Sequence, residues 1–251
     1  MTGDAGPVCY VYGVVTAETR LPEGLEGVGG GEVSLIRRGD VAAVVSEFVP
    51  HGPLGSREDL MAHERVVAEV AAEETVLPLR FGAVVTTADA VAEEMLDPHH
   101  DWFASALEDL EGRYEFVVAG TYVEETVLRQ ILEEKPEIRR LRQETRDLPE
   151  DATYYDRVRL GELIVQALEE RRHEDTEVLM DALSPHALAV APRESGDENT
   201  AADVAFLVDE KDRQEFERDL DELGDRWAGR VRLRLLGPLA PYDFVPQPQE
   251  V

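Results

Sequence analysis

The chain has 251 residues, 43% hydrophobic and 31% charged, a balance that belongs to folded globular proteins rather than disordered ones. Its 54 acidic against 25 basic residues leave a formal net charge of −29, which repels phosphates and excludes nucleic acid and anionic membrane surfaces as expected partners. Cys9 is the only cysteine, so no internal disulfide and no cysteine-built metal site is expected, as suits a reducing cytoplasm. No run of about 18 apolar residues is present to span a bilayer. Met1–Pro7 has neither the basic nor the apolar region of a secretory signal. Lysine is confined to Lys135 and Lys211, and arginine carries the remaining positive charge. The acidic excess fits either a halophile's solvated surface or the coding bias of a GC-rich genome; both keep chains apart by self-repulsion.

The length suggests two domains, expected at 1–111 and 112–251. Residues 8–15 read as a first strand, apolar on both faces and therefore central. The loop after it carries Pro22, Gly24, Gly27 and Gly29–Gly31. No Gly-Lys-Ser/Thr closes it and no helix follows, so it reads as a flexible turn rather than a phosphate loop. Glu32–Arg37 and Val41–Phe48 read as a hairpin turning at Gly39-Asp40. Ser56 and Asp59 then form a capping box for a helix with Leu60, His63, Val67 and Val70 on one face.

The segment 76–85 is short, apolar and β-branched, the pattern of a buried strand. Pro78 lacks an N–H and belongs at an edge or irregular point. Arg80 places a permanent charge in an apolar run and needs a partner or a route to water. Phe81-Gly82 permits a bulge or a close backbone approach. Thr86–Asp89 caps a short helix expected to end before Pro98, and 99–111 supplies another with Trp102, Phe103 and Leu107. The first domain is therefore expected to be a mixed α+β unit.

Arg113–Val123 reads as the strand that opens the second domain. A helical region from about 124 to 182 follows, interrupted at Pro136 and Pro149. Val127, Leu128, Ile131 and Leu132 form one apolar stripe, extended by Ile138 and Leu141. Tyr155, Val158, Leu163, Val165 and Leu168 mark a second. Gly161 interrupts that stripe at a cost of about 1 kcal/mol, which close packing on a neighbouring helix would offset. The two helices are expected to fold back as a hairpin. Strands at His186–Ala191, Ala202–Val208 and Val231–Leu236 remain, with an acidic loop at 193–200. A helix capped by Asp209–Asp212 ends at Leu223 before Gly224, and the tail Pro246–Val251 is expected to fray. The order β-α-β-β-α-β is that of a ferredoxin-like domain with an inserted helical hairpin.

No catalytic constellation emerges. His63 lies on an apolar helix face; with Arg80 it would make a polar site for a small molecule or an enzymatic reaction in a ferredoxin-like protein. The favoured alternative is a core histidine bonded to backbone. His99 and His100 diverge, and the acidic pairs Glu133-Glu134 and Glu169-Glu170 read as solvated helix faces. Cys9 reads as core rather than nucleophile. No metal or cofactor site is expected. Arg80 either pairs with a carboxylate at a strand end or joins Pro78 and Phe81 in a face that contacts another protein.

Three motifs together resemble the gas vesicle protein F/L family. They are Tyr10-Val11-Tyr12-Gly13-Val14, the helix at Ala62-His63-Glu64 running into Pro78-Leu79-Arg80-Phe81-Gly82, and Gly237-Pro238-Leu239-Ala240-Pro241-Tyr242-Asp243-Phe244-Val245. The family's usual threonine after Phe-Gly is Ala83 here. The resemblance covers nearly the whole chain and does not separate F from L members. It implies an accessory protein of gas vesicle assembly that associates with the small apolar shell protein (GvpA type) and with other accessory proteins. It also implies two domains, the second a modified ferredoxin fold, and supplies no catalytic residues. A rival is a passive scaffold whose helical hairpin pairs only with other accessory proteins.

Overall fold

Every residue from Cys9 to Val15 is buried, as expected of a strand covered on both faces. The computed structural model describes residues 6–50, 52–194, 197 and 199–246. The expected character of the amino end, the fraying tail and part of the 193–200 loop thus lie outside the described residues. The chain divides into two compact units, Met1–Glu115 with Gly237–Val251, and Phe116–Leu236. The closing segment groups with the first unit, whereas the sequence pattern assigns it to the second.

In the first unit, β1 (Val8–Thr16) pairs antiparallel with β3 (Val41–Phe48), and β2 (Val33–Arg38) pairs with β3 through the turn at Gly39-Asp40. Helix α1 (Arg57–Ala71) begins on the expected box: Ser56 Oγ accepts the Asp59 N–H at 3.1 Å, and Asp59 Oδ2 accepts the Ser56 N–H at 3.0 Å. It buries Ala62, His63, Val66, Val67 and Val70. Leu60, expected inward, is exposed. The glycine loop is not a free turn: Leu25 and Val28 are buried in the same core as Tyr10, Tyr12 and Val44.

The expected strand at 76–85 is two short pieces. β4 (Leu77–Pro78) pairs with Gly13 and Val14, and β5 (Val84–Val85) pairs with Cys9 and Tyr10. Between them residues 79–83 arch away from β1, so the charge of Arg80 lies outside the sheet rather than in it. A second expectation fails nearby. Helix α2 (Ala88–Ala90), a π-helical stretch (Val91–Leu96) and α3 (Asp97–Leu110) run on without stopping at Pro98. The Asp97 N–H reaches back to Ala92 O, and Pro98 falls in the first turn of α3, where its missing donor is tolerated.

β6 (Arg113–Tyr122) leads into the second unit. Helices α4 (Glu124–Glu134) and α5 (Pro136–Arg146) break at Pro136, and α6 (Glu150–Leu183) returns antiparallel to them. Lys135–Glu170 and Arg159–Glu137, both at 2.7 Å, and Arg171–Glu134 tie the hairpin. The buried face of α6 carries Thr153, Ala167, Asp175, Leu179 and Leu183; the expected core residues Tyr155, Val158 and Val165 are exposed. A Cβ at Gly161 would meet open space, so no helix packs there. Strands β7 (Ala189–Pro192), β8 (Thr200–Asp209) and β9 (Val231–Leu239) join β6 in a sheet ordered β7-β8-β6-β9. Helix α7 (Arg213–Trp227) runs through Gly224 rather than ending there.

Candidate functional site

Tyr10 and Tyr12 are two residues apart on β1, so both side chains leave the same face of the strand. Each is fully buried, and each must satisfy a hydroxyl. The Tyr10 hydroxyl lies 3.1 Å from His63 Nδ1 and accepts the Gly82 N–H at 2.9 Å. The Tyr12 hydroxyl lies 2.7 Å from Ser46 Oγ and accepts the Val28 N–H at 2.7 Å. On the other side of the imidazole, His63 Nε2 lies 3.1 Å from the Tyr242 hydroxyl. The rings of Tyr10, Tyr12 and Phe81 each stand 5.7 Å from that of His63, Tyr12 stacked and the other two edge-on.

This environment sets the charges. Burial lowers the pKa of His63, with a backbone hydrogen bond at Leu79 acting the other way. Burial pushes the Tyr10 hydroxyl up to about 12 and raises those of Tyr12 and Tyr242 as well. The cluster is a neutral, mutually satisfied network that joins strand, helix and closing segment. The expected core histidine with a backbone bond is found, at Leu79, and tyrosine hydroxyls at both ring nitrogens add to it. Sequence reading singled out His63 but not the roles of Tyr10, Tyr12 and Tyr242. Their signal was the tyrosines inside the opening and closing motifs.

The segment at 79–83 is anchored on this network. The Leu79 N–H donates to Tyr12 O at 2.8 Å, the Val11 N–H to Ala83 O at 2.9 Å, and the Gly82 N–H to the Tyr10 hydroxyl. Gly82 takes φ +96, a conformation suited to glycine. Of the three residues expected to form an interaction face, Pro78 is buried against Gly13 and shapes the arch from beneath. Phe81 is half-buried and turned onto Tyr10 and His63. Arg80 alone is exposed, and no described residue forms an ion pair with it. No hydrogen bond or ring contact joins His63 to Arg80 among the described residues, so the structure does not bring that expected pair together.

A second buried polar cluster, unsuspected from sequence, lies in the second unit. Asp175 Oδ2 accepts the Tyr122 hydroxyl at 2.8 Å and pairs with Arg230 at 2.5 Å. The Arg230 guanidinium lies 5.0 Å over the Trp227 ring. Among the described residues no group of three or more His, Cys, Asp or Glu is placed to hold a metal ion, and no helix is long and apolar enough to cross a membrane.

Comparison with known proteins gives this geometry a family. Residues 8–246 match the model of the gas vesicle synthesis protein GvpL/GvpF. The chain is 35% identical over 242 residues to gas vesicle protein F of a Streptomyces species, covering 94% of this chain and 98% of that one. It is 33% identical over 250 residues to gas vesicle protein L of the same organism, covering 94% and 91%. The crystal structure of GvpF from an Anabaena species superposes with a TM-score of 0.78 at 25% identity, covering 97% of this chain and 100% of that one. The arch at Arg80, the tyrosine-histidine network beneath it and the fold that holds them therefore sit in a chain that belongs to the gas vesicle synthesis protein GvpL/GvpF family.

Proposed function

We propose that this chain is a non-enzymatic accessory protein of gas vesicle assembly, acting in the cytoplasm on the nascent vesicle. In this reading it binds the small apolar shell protein of the GvpA type and keeps it from aggregating during nucleation. A shell subunit that must exclude water presents apolar surface before it polymerises, and such surface aggregates unless covered. A strongly charged binder covers one copy and repels others. The observation that carries the reading is the exposed Arg80 on an arch pinned at three backbone points, beside a half-exposed Val84. Arginine on a preorganised surface is a common anchor of protein interfaces. Phe81 and Pro78 support the arch from within.

In the same reading the second unit is a modified ferredoxin-like domain, β6-α-β7-β8-α-β9, with the three helices α4–α6 enlarging the first crossover. The sheet order β7-β8-β6-β9 supports it. The sealed position of His63 and the outward position of Arg80 count against a small-molecule site built from the two. Co-precipitation of the purified chain with each vesicle protein singly tests the proposal. Capture of the shell protein is expected, with suppressed light scattering as shell protein is diluted from denaturant. Capture of other accessory proteins but never the shell protein would favour a passive scaffold instead.

A further inference from the structure

Helices α4, α5 and α6 enclose a groove of about 420 Å³ in the second unit. Its floor is aliphatic: Leu128, Ile131, Leu132 and Ile164. Ile131 is buried, and Leu128, Leu132 and Ile164 are each partly exposed. The rim carries Glu125, Arg129 and Arg142.

Among the described residues some cations of these helices are paired with carboxylates and others are not, Arg129 and Arg142 on this rim among the latter, as are Arg139 and Arg146. Lys135, Arg140, Arg159 and Arg171 each pair with a glutamate: Glu170, Glu144, Glu137 and Glu134. Among the described residues neither Arg129 nor Arg142 has a carboxylate partner. Glu125 stands four residues before Arg129, the spacing for a helical ion pair, yet the two do not pair. In a chain with more than twice as many acids as bases, two guanidiniums beside an apolar groove remain available for an outside carboxylate.

We infer that this groove docks an amphipathic helix of another protein, whose aliphatic side chains fill the floor and whose carboxylate pairs with Arg129 and Arg142. The volume suits a few aliphatic side chains of a helix laid along the groove. The −29 net charge opposes a second copy of this chain and any broadly acidic partner. The partner helix is therefore neutral or basic overall, with its acid placed beside its apolar face. This surface lies in a different unit from the arch at Arg80, and the inference does not depend on shell-protein binding.

A synthetic helical peptide tests it, with leucines at three- and four-residue spacing and one glutamate beside them. Fluorescence anisotropy should show binding to the wild-type chain. Replacing that glutamate by lysine should weaken binding about tenfold. Arg142→Gln, which adds no negative charge, should lose the same preference. The double variant Arg129→Glu, Arg142→Glu, confirmed folded by circular dichroism, should reverse it and favour the lysine peptide. No binding of the glutamate peptide, or equal binding of both peptides that Arg142→Gln leaves unchanged, would overturn the inference. Binding of dodecanoate in the groove without binding of either peptide would also overturn it, in favour of a small amphiphile.

Discussion

His63 Nε2 and the Tyr242 hydroxyl lie 3.1 Å apart although 179 residues separate them in the chain. This contact and the hydrogen bond from the Asp243 N–H to Glu115 Oε2 at 2.8 Å hold the closing segment within the first unit. Both ring nitrogens of His63 have hydroxyl partners, and removing one leaves a buried polar atom without its bond. Tyr242→Phe should cost about 1–3 kcal/mol of stability, measured by urea unfolding.

Stability should also fall in acid through His63. Its folded-state pKa is held below the ordinary 6.5 by burial, so the unfolded chain takes up a proton at higher pH than the folded one. The contribution is fully present above 6.5 and is lost as pH falls below that value toward the lower folded pKa. His100 has a raised pKa, mainly through Asp101, and acts with the opposite sign. Its effect cancels when wild type is compared with His63→Gln. Between about pH 7 and pH 5 wild type should lose more stability than the variant; parallel profiles would show that the imidazole is not neutral when folded.

Gly27 lies against the Tyr12 hydroxyl so closely that an alanine Cβ would overlap it. Its φ of −97° suits any residue, so the cost of Gly27→Ala is steric. About 1–3 kcal/mol is expected. In a Tyr12→Phe background part of that cost should disappear, because the overlapping oxygen is gone while Ser46 remains. A double-mutant cycle reads the difference.

Local signals carried much of the fold. The apolar runs of β1, β2 and β3, the Gly39-Asp40 turn and the Ser56–Asp59 box depend on residues near one another in sequence, and all appear where expected. The long helix α6 shows where such signals stop. Its apolar residues are spread along 34 positions, and periodicity cannot say which part of the helix meets a neighbour. Leu179 and Leu183 near its end are buried, while Tyr155 and Val165 nearer its start are exposed. The segment at 76–85 reads as one strand because its composition is β-like. Its arch depends on hydrogen bonds to Val11, Tyr12 and Tyr10, more than sixty residues earlier, as in the 72-residue span from Tyr10 to Gly82. The tyrosine-histidine network was illegible for the same reason: its members come from three distant segments.

The Asp175–Arg230 pair should be costly to break, since both side chains are largely buried and Tyr122 donates to the same carboxylate. Asp175→Ala leaves a guanidinium without its anion and should destabilise the second unit by about 3–5 kcal/mol. Asp175→Asn keeps a hydrogen-bond acceptor for Tyr122 and should cost less. Thermal unfolding of both variants checks the order.

Salt should stabilise the protein. With a net charge of −29, self-repulsion opposes compaction, and counterions screen it. Raising salt from about 0.1 M to about 1 M shortens the screening length from about 10 Å to about 3 Å and should raise the melting temperature. A melting temperature that stays flat would show that repulsion contributes little.

Recognition of the shell protein through the arch is tested most directly by the affinity of Arg80→Ala for purified shell protein, measured beside its melting temperature. Arg80 is exposed and forms no ion pair with a described residue, so truncation should move the melting temperature by less than about 3 °C. Binding should weaken about tenfold or more, as for an interface anchor. A folded Arg80→Ala protein that binds the shell protein as tightly as wild type would contradict recognition through this arch.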